Sequence, residues 1–331
     1  MKKKNEDLLV SVILNSIPGK VKPVPYLMDL LGLSSESVYR RIRGIIPFSF
    51  DEVSKLSLTL NFSIDEVVGQ AKDKRIFFDL QGSSSSDPKE MYMNMLENYL
   101  EHVVAQYKTK KTESVMTMNR LWDIFTVGYD NLFKFYYYKW IHQVHEVPLN
   151  YYYSEIVVPP EILNIYKEIK SQMNIIPDMN ITFILDREIF LNTIREIRYY
   201  YKRKLINDDE MLLIQKDLRA IVEDAERFAQ RGTDEFGAKY FYYVSVLDIE
   251  SNTSYTTFDD IGLESNFWIY SVSPLRIKNA EVCIMHKRWL DSLKKYSTFI
   301  SQSNEILQAD FFGKQHEYIN NIMNMDLYND Y

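Results

Sequence analysis

The chain has 331 residues, enough for two domains of ordinary size, and its 46% hydrophobic and 26% charged residues are the balance of a folded protein with a sizeable core. Cys283 is its single cysteine, which excludes an intramolecular disulfide or a thiolate metal cluster and points to a reducing cytoplasm. The net charge is -7, but residues 1–43 carry eight Lys/Arg against four Asp/Glu, a net of +4 that leaves -11 for the rest. An acidic body repels nucleic acid while a basic end can approach phosphates, so overall acidity does not argue against DNA as a partner.

The N-terminus has three lysines and a short apolar run, but Glu6 and Asp7 interrupt it and no small-residue cleavage site follows, so no signal peptide is expected. No segment approaches the roughly 18–20 apolar residues of a membrane span. Leu8, Leu9, Val12, Ile13 and Ile17 share one face at helical spacing, which predicts a first helix over Asn5–Ile17. Pro18-Gly19 stops it, and Lys20 and Lys22 fall in the loop that follows. A second helix is predicted over Val24–Leu31, ended by Gly32, where a left-handed backbone suits glycine. Ser34 is a good N-cap for a third helix, with Leu33 and Val38 as its hydrophobic staple. Val38 and Ile42 then face inward, leaving Ser35, Glu36, Tyr39, Arg40 and Arg43 outward. Helix, tight turn and basic second helix make the form of a helix-turn-helix that reads DNA. Two capping boxes, Ser49–Glu52 and Ser63–Glu66, predict further helices over Phe50–Leu60 and Ile64–Val68.

The stretch LGLSSESVYRRIRG followed by PFSFDEVSKLSLTLNFSIDEVVG resembles the lambda-repressor-like (Cro-type, XRE) helix-turn-helix regulators. The YRRIRG ending is similar to bacterial one-component regulators. The likeness covers about Leu8 to Gly69, and Gly32, Leu33, Ser34, Val38, Gly44 and Leu56 match at the expected relative spacing. Met28 stands where that family usually has alanine, and Arg41 where an apolar residue is common. The resemblance implies that Ser35, Glu36, Tyr39, Arg40 and Arg43 read base edges, with Arg41, Lys20 and Lys22 on phosphates. It implies double-stranded DNA as partner, and a homodimer follows on general grounds, because two-fold dimers match palindromic half-sites.

Gln81–Pro88 reads as a polar linker. The domain expectation is therefore residues 1–72 for the helix-turn-helix, 73–89 for the linker and 90–331 for a sensing or oligomerisation region. Beyond the linker, helices are predicted over Pro88–Tyr107, most of Ser114–Val147, Pro160–Met173, Arg187–Lys204 and Asp208–Gln230. Ile181–Leu185 reads as a buried strand. Lys239–Ile249 alternates in the β manner, and Tyr255–Phe258 and Phe267–Val272 read as its partners in a small antiparallel meander. After Pro274 the chain returns to helix, over Asn279–Tyr296 and Ser303–Met323. The expected fold class is mainly α: a five-helix N-terminal domain and a larger, mostly helical C-terminal region with a small antiparallel sheet.

No P-loop, G-x-S-x-G, H-E-x-x-H or G-x-G-x-x-G pattern is present, so no enzyme and no cofactor is expected. His142 and His145 sit one helical turn apart in an aromatic neighbourhood, which favours a structural role over a metal site. The aromatic runs Phe135–Trp140, Tyr151–Tyr153, Tyr199–Tyr201 and Tyr240–Tyr243 read first as core, and second as the walls of a ligand pocket for an unidentified effector. The expected function is a cytoplasmic transcription regulator; the competing reading is a protein-interaction adaptor whose helix-turn-helix binds no DNA.

Overall fold

A computed structural model describes residues 2–17, 21–60, 62, 64, 79–80, 87–107, 109, 111–144, 147–173, 179–258, 262–268, 274–302 and 304–324. The chain divides into two units, Met1–Phe77 and Phe78–Tyr331.

In the first unit, local chemistry sets each helix boundary. Helix α1 spans Lys2–Ser16. Helix α2, Pro23–Leu31, starts on proline, whose missing N–H costs nothing in a first helical turn. It ends at Gly32, which adopts φ +68° and donates its N–H to the Met28 carbonyl at 2.8 Å. A side chain there would meet no neighbouring atom, so the demand for glycine is purely one of backbone conformation. Ser34 caps α3, Ser35–Ile42, by accepting from the Ser37 N–H at 3.3 Å. Helix α4, Phe50–Leu60, opens with the reciprocal box: Ser49 N–H donates to Glu52 at 2.8 Å and Glu52 N–H to Ser49 Oγ at 3.2 Å. Ile13, Ile17, Leu27, Val38, Leu56 and Phe62 form the buried core between these helices. The second predicted capping box and the helix over Ile64–Val68 lie outside the described residues, apart from Ile64 itself, which is helical.

The second unit is built on a sheet. Its strands are β1 (Asp79–Leu80), β2 (Thr112–Met118), β3 (Met179–Leu185), β4 (Lys239–Ser245), β5 (Thr253–Phe258), β6 (Gly262–Trp268), β7 (Pro274–Ile277) and β8 (Ser297–Phe299). They form one eight-stranded mixed sheet in the order β1-β7-β6-β5-β2-β3-β4-β8. The pairs β2/β3 and β3/β4 are parallel and the others antiparallel. Parallel neighbours need long crossovers. Helices α6 (Asp130–Val144) and α7 (Pro160–Met173) connect β2 to β3, and α8 (Ile189–Lys202) and α9 (Asp208–Arg231) connect β3 to β4. Helix α5 (Pro88–Tyr107) precedes β2; α10 (Ala280–Lys295) and α11 (Glu305–Asn320) follow the antiparallel half.

Alternation along the strands separates two layers. Met116, Phe183, Tyr240 and Tyr242 face the main core, which is filled from α5–α9 and α11. Val115, Ile184 and Tyr243 share the other face with Leu293 of α10, and Tyr255 and Leu263 with its Cys283 and Leu290. Helix α6 is buried nearly all round, at Leu132, Phe133, Phe135 through Tyr138, Lys139 and Trp140. Lys139 is tolerated there because its ammonium reaches Glu196 at 2.5 Å, which also accepts from Arg120 at 2.7 Å.

The expected mainly α class with a small sheet is therefore wrong. Residues 114–147 are not one helical region: β2, a 3₁₀ turn at Asp123–Thr126 and α6 divide them. A central strand packed on both faces loses the clean alternation that marks a half-exposed one, and β2 is such a strand. The expected meander is also regrouped. Strands β5 and β6 do pair, but β4 is separated from them by β2 and β3, and β7 occupies Pro274–Ile277, where the sequence predicts a return to helix.

Candidate nucleic-acid interface

Helix α3 has one face committed to the core and one left to solvent. Val38 is fully buried and Ile42 packs half-buried beside it. Opposite them, Ser35, Glu36, Tyr39, Arg40 and Arg43 are all exposed. The third-helix reading set thus lies on a single surface. Glu36 stands in the first turn, where a carboxylate suits the positive helix end, and the arginines cluster toward the last turn, where cations suit the negative end. Tyr39 is 49% exposed, with the Arg43 guanidinium 6.0 Å from its ring centre. A planar aromatic and two guanidinium groups on one exposed strip can stack, donate to phosphate oxygens and form paired hydrogen bonds with guanine.

Arg41 differs from its neighbours. Its guanidinium makes a two-pronged contact with Glu52 of α4, Nε at 2.9 Å and a terminal nitrogen at 2.8 Å. The other terminal nitrogen donates to the Ser37 carbonyl at 3.3 Å. Both charged side chains are only 15% exposed. Burial alone would raise the Glu52 pKa, but the hydrogen bonds from Arg41 and the Ser49 backbone hold it below the ordinary carboxylate value. The arginine at a customarily apolar position is thus a clamp between α3 and α4, and its partner is the same glutamate that closes the α4 capping box. The sequence shows the box and the misplaced arginine as separate features. The signal that joins them is a lone cation on an inward position, eleven residues before a glutamate in the first turn of the next helix.

Lys22 is exposed at the N-terminal boundary of α2, and Lys20 lies outside the described residues. Around the same unit Ile45, Phe50 and Leu58 leave large apolar side chains in solvent, at 60%, 77% and 85% exposure.

Residues 19–107 match the BetR domain, a helix-turn-helix-like regulator domain. The matched stretch takes in α2, α3 and α4 and continues through α5. Neither a curated protein nor a solved structure matches the chain. The match supports a helix-turn-helix regulator of transcription and does not extend to the Cro-type subclass.

Proposed function

We propose that the protein is a sequence-specific DNA-binding transcription regulator whose helix α3 enters the major groove. The observation that carries this reading is the division of α3 into a buried Val38 edge and an exposed edge bearing Ser35, Glu36, Tyr39, Arg40 and Arg43. Arg40 and Arg43 donate to base edges, Ser35, Glu36 and Tyr39 adjust register, and Lys20 and Lys22 contact the backbone. Arg41 acts indirectly, by fixing the angle between α3 and α4. The second unit serves dimerisation, signal sensing or both, and two copies of α3 read a two-fold site. The BetR-domain match supports the regulator class.

The test is retention of genomic fragments by the full chain, then affinity for a selected fragment. In the double variant Arg40→Ala, Arg43→Ala, affinity falls by roughly 1–3 kcal/mol for each arginine–base pairing removed. A folded double variant with unchanged affinity and unchanged salt dependence removes α3 from the interface. Absence of any salt-dependent retention by the wild type favours an adaptor that binds protein.

A further inference from the structure

The second unit holds a half-open cavity of about 420 Å³, within the range of pockets that hold small organic ligands. It lies on the main-core side of the sheet, and the sheet gives it a divided floor. Where β3 and β4 form the floor, the lining is aromatic. Phe183 stacks on Tyr242 at 5.1 Å and 25°, and Phe228 of α9 stacks on Tyr240 at 4.9 Å and 15°. Trp122 and Trp268 of β6 add a third stacked pair, 3.8 Å apart. Apart from Trp268, the lining contributed by β5 and β6 is polar. Ser254, Thr256 and Asn266 all line the cavity, and all are at most 6% exposed.

Burying such a polar strip opposes folding unless its groups are paired. Much of it is paired internally. Asn266 donates to Glu264 at 3.0 Å and to Ser254 at 3.3 Å, and Thr256 shares a hydrogen bond with Ser114 at 3.1 Å. The charges at the cavity, apart from the exposed Glu235, are also held in ion pairs or hydrogen bonds. Glu264 sits 3.2 Å from His102 and 3.4 Å from Arg276. Asp224 holds Arg227 at 2.6 Å and the Tyr129 hydroxyl at 2.5 Å. Asp234 accepts the Phe236 and Ala238 N–H groups and the Tyr240 hydroxyl. Three buried polar atoms on lining residues remain without a hydrogen-bond partner: the Asn266 amide oxygen, the Trp122 indole nitrogen and Arg276 Nε, whose 3.4 Å approach to Glu264 is an ion pair. An ionic ligand would break existing pairs, whereas a neutral one leaves them intact.

We propose that this cavity binds a small, uncharged, planar aromatic molecule carrying a hydrogen-bond donor. Its rings lie against the Trp122–Trp268 pair, and its donor reaches the Asn266 amide oxygen, two residues from Trp268 on the same face of β6. Flat rings match the nearly parallel aromatic side chains, and the polar floor fixes which end of the molecule goes where. The role of this site as the sensor of a regulator rests on the function proposed above; the binding itself does not.

The full chain is titrated with the uncharged dye N-phenylnaphthylamine, which has fused rings and a single N–H and brightens in apolar surroundings. One saturable site per chain, excited by energy transfer from tryptophan, is the expected result. No saturable binding overturns the proposal. Ala225 of α9 lines the cavity, and Ala225→Phe fills it. At least about a tenfold loss of dye affinity is expected with far-ultraviolet circular dichroism unchanged. Should that variant fail to fold, Ala225→Leu carries the same expectation with a smaller loss. Unchanged affinity in a folded filling variant places the dye elsewhere and overturns the site. Asn266→Ala should weaken the dye by roughly three- to tenfold while leaving naphthalene, which lacks the N–H, little changed. Equal losses for both compounds overturn the polar contact. No DNA is present in these titrations, so their failure leaves the DNA-binding result standing, and the reverse holds equally.

Discussion

The two units of this chain put their chemistry in opposite places. The first unit has a thin core, centred on Leu27, Val38 and Leu56, and displays its arginines and tyrosine on the outside of a short helix. The second unit surrounds a broad sheet with helices, and its most distinctive groups line a cavity inside. The difference follows from what each scaffold can hold. Among the described residues the short helices close on a core cluster of only six buried side chains, so the candidate functional groups lie on the surface. A sheet eight strands wide, covered on both faces, can keep an aromatic half and a polar half under the same roof.

If the second unit depends on its large core, truncation there should give the largest effect. Phe312 of α11 is fully buried and meets Phe311 edge-on at 5.1 Å. Phe312→Ala should cost about 3–5 kcal/mol, from reduced apolar burial and from the hole left behind. Urea unfolding followed by circular dichroism reads this as a fall in midpoint at constant slope. A loss below about 1 kcal/mol would mean that this part of the core collapses readily around the gap, and the contrast with the thin first core would fade.

The same contrast governs which features are legible in the sequence. In the first unit the structural signals are local. Pro23, Gly32, Ser34 and the Ser49–Glu52 box each act within four residues, and each lies at a helix end as its chemistry predicts. Helix α9 is equally legible, because Asn207 and Glu210 cap one end, Gly232 the other, and its buried positions recur at helical spacing. In the second unit the deciding contacts are distant. Nothing near Val115 announces that it pairs with Thr182 on one side and Tyr255 on the other. Strand β4 shows its alternation, but alternation does not name a partner, so the sequence groups it with β5 whereas β2 and β3 stand between them. The candidate base-reading face is legible because one helix carries it. The cavity is legible only in the Tyr240–Tyr243 run, since its polar floor comes from β5 and β6 and acquires meaning only in register with β2 and β7.

A second experiment probes the other face of the sheet, where α10 packs. His286 is buried there between two hydroxyls, Nδ1 2.9 Å from Ser265 Oγ and Nε2 3.0 Å from Thr253 Oγ1. Burial disfavours the imidazolium and pulls its pKa from 6.5 down to about 4. Between those values the unfolded chain binds more protons than the folded one. The neutral ring's contribution is therefore complete above about pH 6.5 and is lost as pH falls through 4, at most on the order of 3 kcal/mol. Unfolding midpoints measured from pH 7 to pH 4 should fall, and His286→Gln should flatten that fall. An equal decline in both proteins would assign the acid sensitivity to other groups.

The smallest of these effects sharpens the comparison at the surface unit, because it separates what builds α3 from what α3 presents. Arg40 and Arg43 are exposed, while Arg41 commits its donors to Glu52 and the Ser37 carbonyl. If that division is functional, Arg41→Ala should act through stability. It leaves the Glu52 carboxylate, only 15% exposed, without its charged partner, at a cost of about 2 kcal/mol. The Ser49 N–H still holds that carboxylate, so the α4 cap survives and the loss stays below that of a core truncation. Well below the unfolding midpoint the folded Arg41→Ala protein should keep the salt dependence of DNA retention seen in the wild type, since no phosphate partner has been removed. Arg40→Ala, Arg43→Ala should do the converse, leaving the unfolding midpoint almost unmoved and weakening retention. A drop of about one phosphate in the salt slope of Arg41→Ala, with stability unchanged, would exchange the two roles and return Arg41 to the DNA-facing set.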